Sequence, residues 1–117
     1  MNNTKKYAKL LSSYLQAFSE RYGKSANGLR IMTLIDTERH HYQAITHGFQ
    51  KEPKKRVFSI LFHFDIIDGK IWFQCNHTDL LIEEELLKLG IPKSDIVFGW
   101  LPEYARAHSG WGIDKAA

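Results

Sequence analysis

The sequence predicts a single α+β domain, with an antiparallel sheet of about four to five strands packed against an N-terminal helix and a second helix. Three observations carry that prediction. An amphipathic segment opens the chain, a long β-rich run meets another at an Asp-Gly pair, and an acidic, leucine-rich segment stops at Gly90-Ile91-Pro92. The chain has 117 residues, which fits one domain over 1–117, since a chain this long buries roughly two-thirds of its unfolded surface.

The first helix is carried by Tyr7, Leu10, Leu11, Tyr14, Leu15, Phe18 and Tyr22, which fall three and four apart and form one apolar stripe. Asn3 or Thr4 is placed to cap it, and Gly23 sits where a left-handed C-terminal residue belongs. Strands follow at Leu29–Asp36, at Tyr42–Phe49 with Gly48 marking a bulge, and at Arg56–Ile67. Asp68-Gly69 then predicts a type I′ turn into Lys70–Cys75. That turn sets Ile66 opposite Ile71, Phe64 opposite Phe73 and Phe62 opposite Cys75 on a core face, where the thiol would be inert. His63, Asp65, Trp72 and Gln74 fall on the other face, with Asp65 beside Trp72 and His63 beside Gln74.

The second helix is expected over Asp79–Leu89, capped by Thr78 or Asp79. Gly90 ends it, and Ile91 folds back on Leu86. Leu80 and Leu87 lie off its main apolar face, so the helix is either deeply buried or carries a second contact surface. Ile96–Phe98 reads as a brief edge strand and Pro102–Ala107 as a short helix. His108–Ala117 reads as a fraying tail.

Composition excludes several classes of function. A 44% hydrophobic, 13% aromatic chain is not disordered, and one cysteine excludes both a disulfide framework and a cysteine-rich zinc site. No apolar run reaches membrane-spanning length and the first residues do not form a signal peptide, so a reducing, cytoplasmic setting is expected. The glycines form no phosphate loop and no dinucleotide fingerprint, and no serine lies in a nucleophile elbow. Asp36, Glu38 and Asp65 lack the strand-spaced lysine of a nuclease-like site, so no catalytic residue is expected.

Six histidines raise the question of metal. His40 and His41 are adjacent, so on a strand they would face opposite ways. His63 and Asp65 share a face and could hold a divalent ion with a third ligand, but spacing fixes none. The expectation is therefore a polar sheet face with neither metal nor cofactor. Lys51, Lys54, Lys55 and Arg56 form a basic run between the second and third strands. A net charge of +3 supports only weak, salt-sensitive contact with nucleic acid there.

Three motifs occur in order: Asp36-Thr37-Glu38-Arg39-His40-His41-Tyr42, the run from Phe62-His63-Phe64-Asp65 through Asp68-Gly69-Lys70-Ile71-Trp72, and Leu89-Gly90-Ile91-Pro92-Lys93-Ser94-Asp95-Ile96-Val97-Phe98-Gly99. Together they resemble the XisI family, controlling factors for excision of the cyanobacterial fdxN element, over residues 4 to 112. The sequence departs from the family pattern after the hairpin, at Cys75-Asn76-His77-Thr78-Asp79, and again at Gly99-Trp100-Leu101. The resemblance implies a small cytoplasmic protein acting beside an XisH-like companion in DNA rearrangement, and it names no catalytic residue. His63, Asp65, Trp72 and Gln74, with the extra apolar side of the second helix, are the expected partner surface. A partner or a second subunit, rather than its own chain, is expected to bury Trp72. The alternative is a DNA-binding accessory factor using Lys51, Lys54, Lys55 and Arg56.

Overall fold

The structure, a computed structural model, describes residues 3–23 and 27–113. Helix α1 (Thr4–Tyr22) leads into β1 (Leu29–Asp36), β2 (His41–Gln50), β3 (Lys55–Ile67) and β4 (Lys70–Asn76). Helix α2 (Ile82–Lys88), a 3₁₀ turn (Lys93–Asp95), β5 (Ile96–Phe98) and the short helix α3 (Glu103–Arg106) complete the order. The five strands lie in sequence order in one sheet. β1 to β4 are antiparallel, but β5 runs parallel to β4. The sheet is therefore mixed rather than antiparallel throughout, because α2 carries the chain back to the starting end of β4 before β5 is laid down.

Of the predicted helical stripe, Leu10 and Tyr14 are half-buried and Tyr22 at the end of the helix is exposed, while Tyr7, Leu11, Leu15 and Phe18 are buried against the sheet together with Ala8. They meet Tyr42, Ala44, Phe62, Phe64, Ile66, Ile71 and Phe73, which share one sheet face by register. Phe62 stands edge-on to Phe18 at 4.9 Å between ring centres, and Phe64 lies 4.6 Å from Phe73. Gly23 closes α1 in right-handed backbone, φ −67°, not the left-handed conformation expected of it. Asn3 is the N-cap but makes no side-chain cap bond.

The Asp68-Gly69 turn is type I′ as predicted, with positive φ at both residues, 51° and 75°. The predicted pairing holds from Ile67–Lys70 to Phe64–Phe73 and then slips. Gln74 is an extra residue on β4, so His63 faces Cys75 and Phe62 faces Asn76. Cys75 therefore leaves the core face and sits half-buried beside His63. A second bulge lies at Leu61, between the Ala44–Phe62 and Ile45–Ile60 pairs, not at Gly48. Gly48 has φ +134°, and a Cβ there would come within 2.9 Å of the Gly28 carbonyl.

α2 starts three residues later than expected. Asn76 Oδ1 accepts from both the Thr78 amide and its hydroxyl, and Thr78 Oγ1 accepts from the Leu80 amide. Thr78 is thus spent on a turn, and Leu81 is the N-cap. The C-terminus is the expected Schellman turn: Ile91 N–H donates to Leu86 O, Gly90 N–H to Leu87 O, and Gly90 has φ +94°. Leu87 on α2 and Leu80 just before it pack against the core and are half-buried by their own chain, while Leu81 and Leu89 at the two ends of the helix stay exposed.

The C-terminal segment packs down as far as Ile113; the rest of the expected tail lies outside the described residues. Gly112 N–H donates to Ile96 O, Trp111 packs on Phe98, and Lys70 Nζ donates to Ile113 O. Among the described residues no helix is long and apolar enough to cross a membrane.

Candidate functional site

The sheet face turned away from α1 carries a convergent polar cluster. β1 and β2 are joined by residues 37–40, and Asp36 Oδ1 holds that turn by accepting from the Glu38 and Arg39 amides. His40 closes the turn in left-handed backbone, φ 61°. His41 is therefore the first residue of β2, paired directly with Asp65 on β3. His63, two residues before Asp65 on the same strand, shares its face.

Asp65 is the hub of this cluster. Its Oδ1 receives His41 Nδ1 and His63 Nε2, each at 2.6 Å, and its Oδ2 accepts from Gln74 Nε2 at 3.0 Å. Gln43 Nε2 lies 3.0 Å from His63 Nδ1, so both nitrogens of His63 are engaged. Burial pushes the Asp65 carboxyl up, but the bonds from His41, His63 and Gln74 outweigh it and hold the group below the ordinary carboxylate value. His63 and Asp65 are mostly covered, with side chains 20% and 17% exposed, while the His41 side chain is 55% exposed and opens the cluster to solvent. Beside it is a hollow of about 270 Å³ lined by Leu34, Ile35, Asp36, His41, Gln43 and His63.

Of the four residues expected to form a partner surface, His63, Asp65 and Gln74 are brought together and bonded into this cluster. Trp72 lies on the same face beside Asp65, but the guanidinium of Arg106 on α3 stacks 5.1 Å above its ring. Its own C-terminal segment thus supplies cover expected from a partner. Gln74 reaches Asp65 because the bulge turns it there; strict alternation would have set it opposite His63.

Sequence reasoning missed His41 and Gln43. The usable signal was Asp36: an aspartate opening a turn of four residues places His41 opposite the end of β1 and so beside Asp65. Reading His40 and His41 as one strand segment concealed this.

The basic run lies at the far end of the β2–β3 hairpin. Lys51 and Lys54 are in the turn, and Lys55 and Arg56 begin β3. Arg56 sits between two rings, 5.4 Å from that of Phe49 and 5.8 Å from that of Phe58. Phe49 is 72% exposed and Phe58 61%. By register they continue the far face toward Ile60 and Leu34, also exposed, so an apolar stripe runs from the cluster to the hairpin tip.

A family model described as "XisI protein" matches residues 1–113. Two crystal structures from Anabaena variabilis ATCC 29413 are similar over nearly the whole chain. A XisI-like protein is 35% identical with a TM-score of 0.82, and the match covers 94% of this chain and 98% of that one. The fdxN element excision controlling factor XisI is 25% identical with a TM-score of 0.75, covering 95% and 98%. No curated protein matches the chain.

Proposed function

The chain belongs to the XisI family, and from that premise we propose that it is an accessory factor in the control of DNA-element excision, acting without catalysis through contact with an XisH-like protein. The observation that supports this reading is the stripe of Leu34, Ile60, Phe58 and Phe49, which leaves large apolar side chains in water along the far sheet face out to the tip of the β2–β3 arm. Exposed aromatics are costly in a monomer and are the side chains on which interfaces concentrate binding energy. Arg56 between the two rings adds a second residue type favoured in such contacts.

The test is capture of this chain by an XisH-like protein. The Phe49→Ser, Phe58→Ser double variant should fold and lose capture. Undiminished capture by the folded double variant would reject the arm as the contact. A second reading, direct DNA contact, is favoured by one observation: Lys51, Lys54, Lys55 and Arg56 cluster at the tip of that arm.

A further inference from the structure

We propose that His41, His63 and Asp65 form a binding site for one first-row divalent cation of the zinc class. The donors come from two strands and converge from positions the sheet register fixes: His41 is the cross-strand partner of Asp65, and His63 precedes Asp65 by two residues. One ligand atom from each lies within 4.8 Å of the others, and the two imidazole rings are 6.0 Å apart between centres.

The donor atoms already converge on one point. Two imidazole nitrogens meet the same carboxylate oxygen at 2.6 Å each, just short of the usual range of about 2.7–2.9 Å for a charged N–H donor. A cation at about 2.0–2.2 Å from each donor would take the place of the two shared protons. It would set neighbouring donors about 3.3 Å apart, a spreading of less than about 1 Å that rotation of the exposed His41 ring can supply.

The surrounding groups support the same assignment. Asp65 Oδ2 is held by Gln74, which leaves Oδ1 for the ion. His63 Nδ1 is held by Gln43, which fixes the ring with Nε2 directed at the site. Such outer hydrogen bonds orient ligands at metal centres. In the loaded form His63 Nδ1 carries its proton, and the Gln43 amide presents its oxygen to it; the terminal amide rotates to do so. His41, on the solvent side, provides the entry path and leaves coordination positions for water. Two nitrogens and one oxygen select zinc, cobalt or nickel over magnesium or calcium, which prefer all-oxygen sites. Asp36 is not a ligand, because its carboxylate is committed to the turn amides and Arg39.

The experiment uses the untagged full chain, stripped with a chelator and titrated calorimetrically with Zn²⁺ and by visible absorption with Co²⁺. One equivalent should bind with a dissociation constant well below ~100 μM, and millimolar Mg²⁺ should not compete. His41→Ala, at an exposed position that does not threaten folding, should abolish tight binding, as should Asp65→Asn. Gln74→Ala should weaken it by about 10–100-fold, the usual effect of removing an outer hydrogen bond. His40→Ala, whose ring bonds Tyr42 instead, should change nothing. Absence of saturable Zn²⁺ binding by the folded chain would overturn the proposal, and so would affinity retained in His41→Ala.

Discussion

Three donors reach the two carboxylate oxygens of Asp65, from His41, His63 and Gln74. Their bonds outweigh burial and hold its folded pKa below the ordinary carboxylate value. A depressed carboxyl contributes stability above the unfolded pKa, and that contribution is lost as pH falls through the folded value. Asp65→Asn should therefore lie below the wild type by a constant margin near neutrality, and the margin should shrink as pH falls below about 4. Urea midpoints of the two proteins, measured with chelator present to remove any bound ion, check this. A margin unchanged down to the acid-unfolding limit would assign the stabilisation to something other than the carboxylate charge. Tyr7 acts at the opposite end of the scale. It donates to Asp95 Oδ2, and burial together with that neighbour pushes its hydroxyl up to about 12, so its contribution is lost only in strong alkali.

The β3–β4 hairpin shows where pattern suffices and where it fails. A two-residue type I′ turn needs positive φ at both positions, which Asp68-Gly69 accommodates better than most pairs, so the pairing next to it was readable from two residues. β1 and β5 were likewise legible, because Leu29–Asp36 and Ile96–Phe98 are β-rich runs with sharp ends. The bulge at Gln74 was not: polar Gln74 fits alternation, and nothing local signals that Cys75 follows it onto the same face. Two of the three converging donors, His63 and Asp65, were legible in their i, i+2 spacing, while His41 depended on a turn that strands alone do not specify. What the hairpin does for the core is testable. Phe64 is fully buried between Phe62 and Phe73, with ring centres 5.4 and 4.6 Å away. Phe64→Ala should cost about 3–5 kcal/mol, since a close-packed sheet face under a helix collapses only partly around the cavity. A denaturation series showing less than about 1 kcal/mol would mean that the site repacks.

The whole molecule is elongated, 49 × 28 × 25 Å with a radius of gyration of 15.2 Å, where a compact chain of this length has about 13 Å. The β2–β3 hairpin extends beyond the part of the sheet that α1 covers, and the basic run is at its tip. That shape separates two chemistries. The cluster at His41, His63 and Asp65 sits over the hydrophobic core, where strands are held on one face by α1, and rigid strands suit a site that needs fixed donors. The arm is flanked by β1 as far as Gly48, and Asn27 holds its turn by accepting from the Lys51 and Glu52 amides, so its exposed face is presented on paired backbone. Charge decides how strongly such an arm holds DNA on its own. Lys51, Lys54, Lys55 and Arg56 can meet about three or four phosphates, so log affinity should fall against log salt with a slope of about −3 to −4. With a net charge of only +3 over the chain, little further attraction reinforces the tip. The isolated protein should therefore bind duplex weakly at low salt and negligibly at physiological salt. Replacing all four basic residues with alanine should remove even the low-salt binding while leaving the fold intact, since their side chains lie in solvent. Fluorescence anisotropy across a salt series reads both effects. A nanomolar, sequence-selective complex at physiological salt would make DNA rather than a protein the arm's primary target.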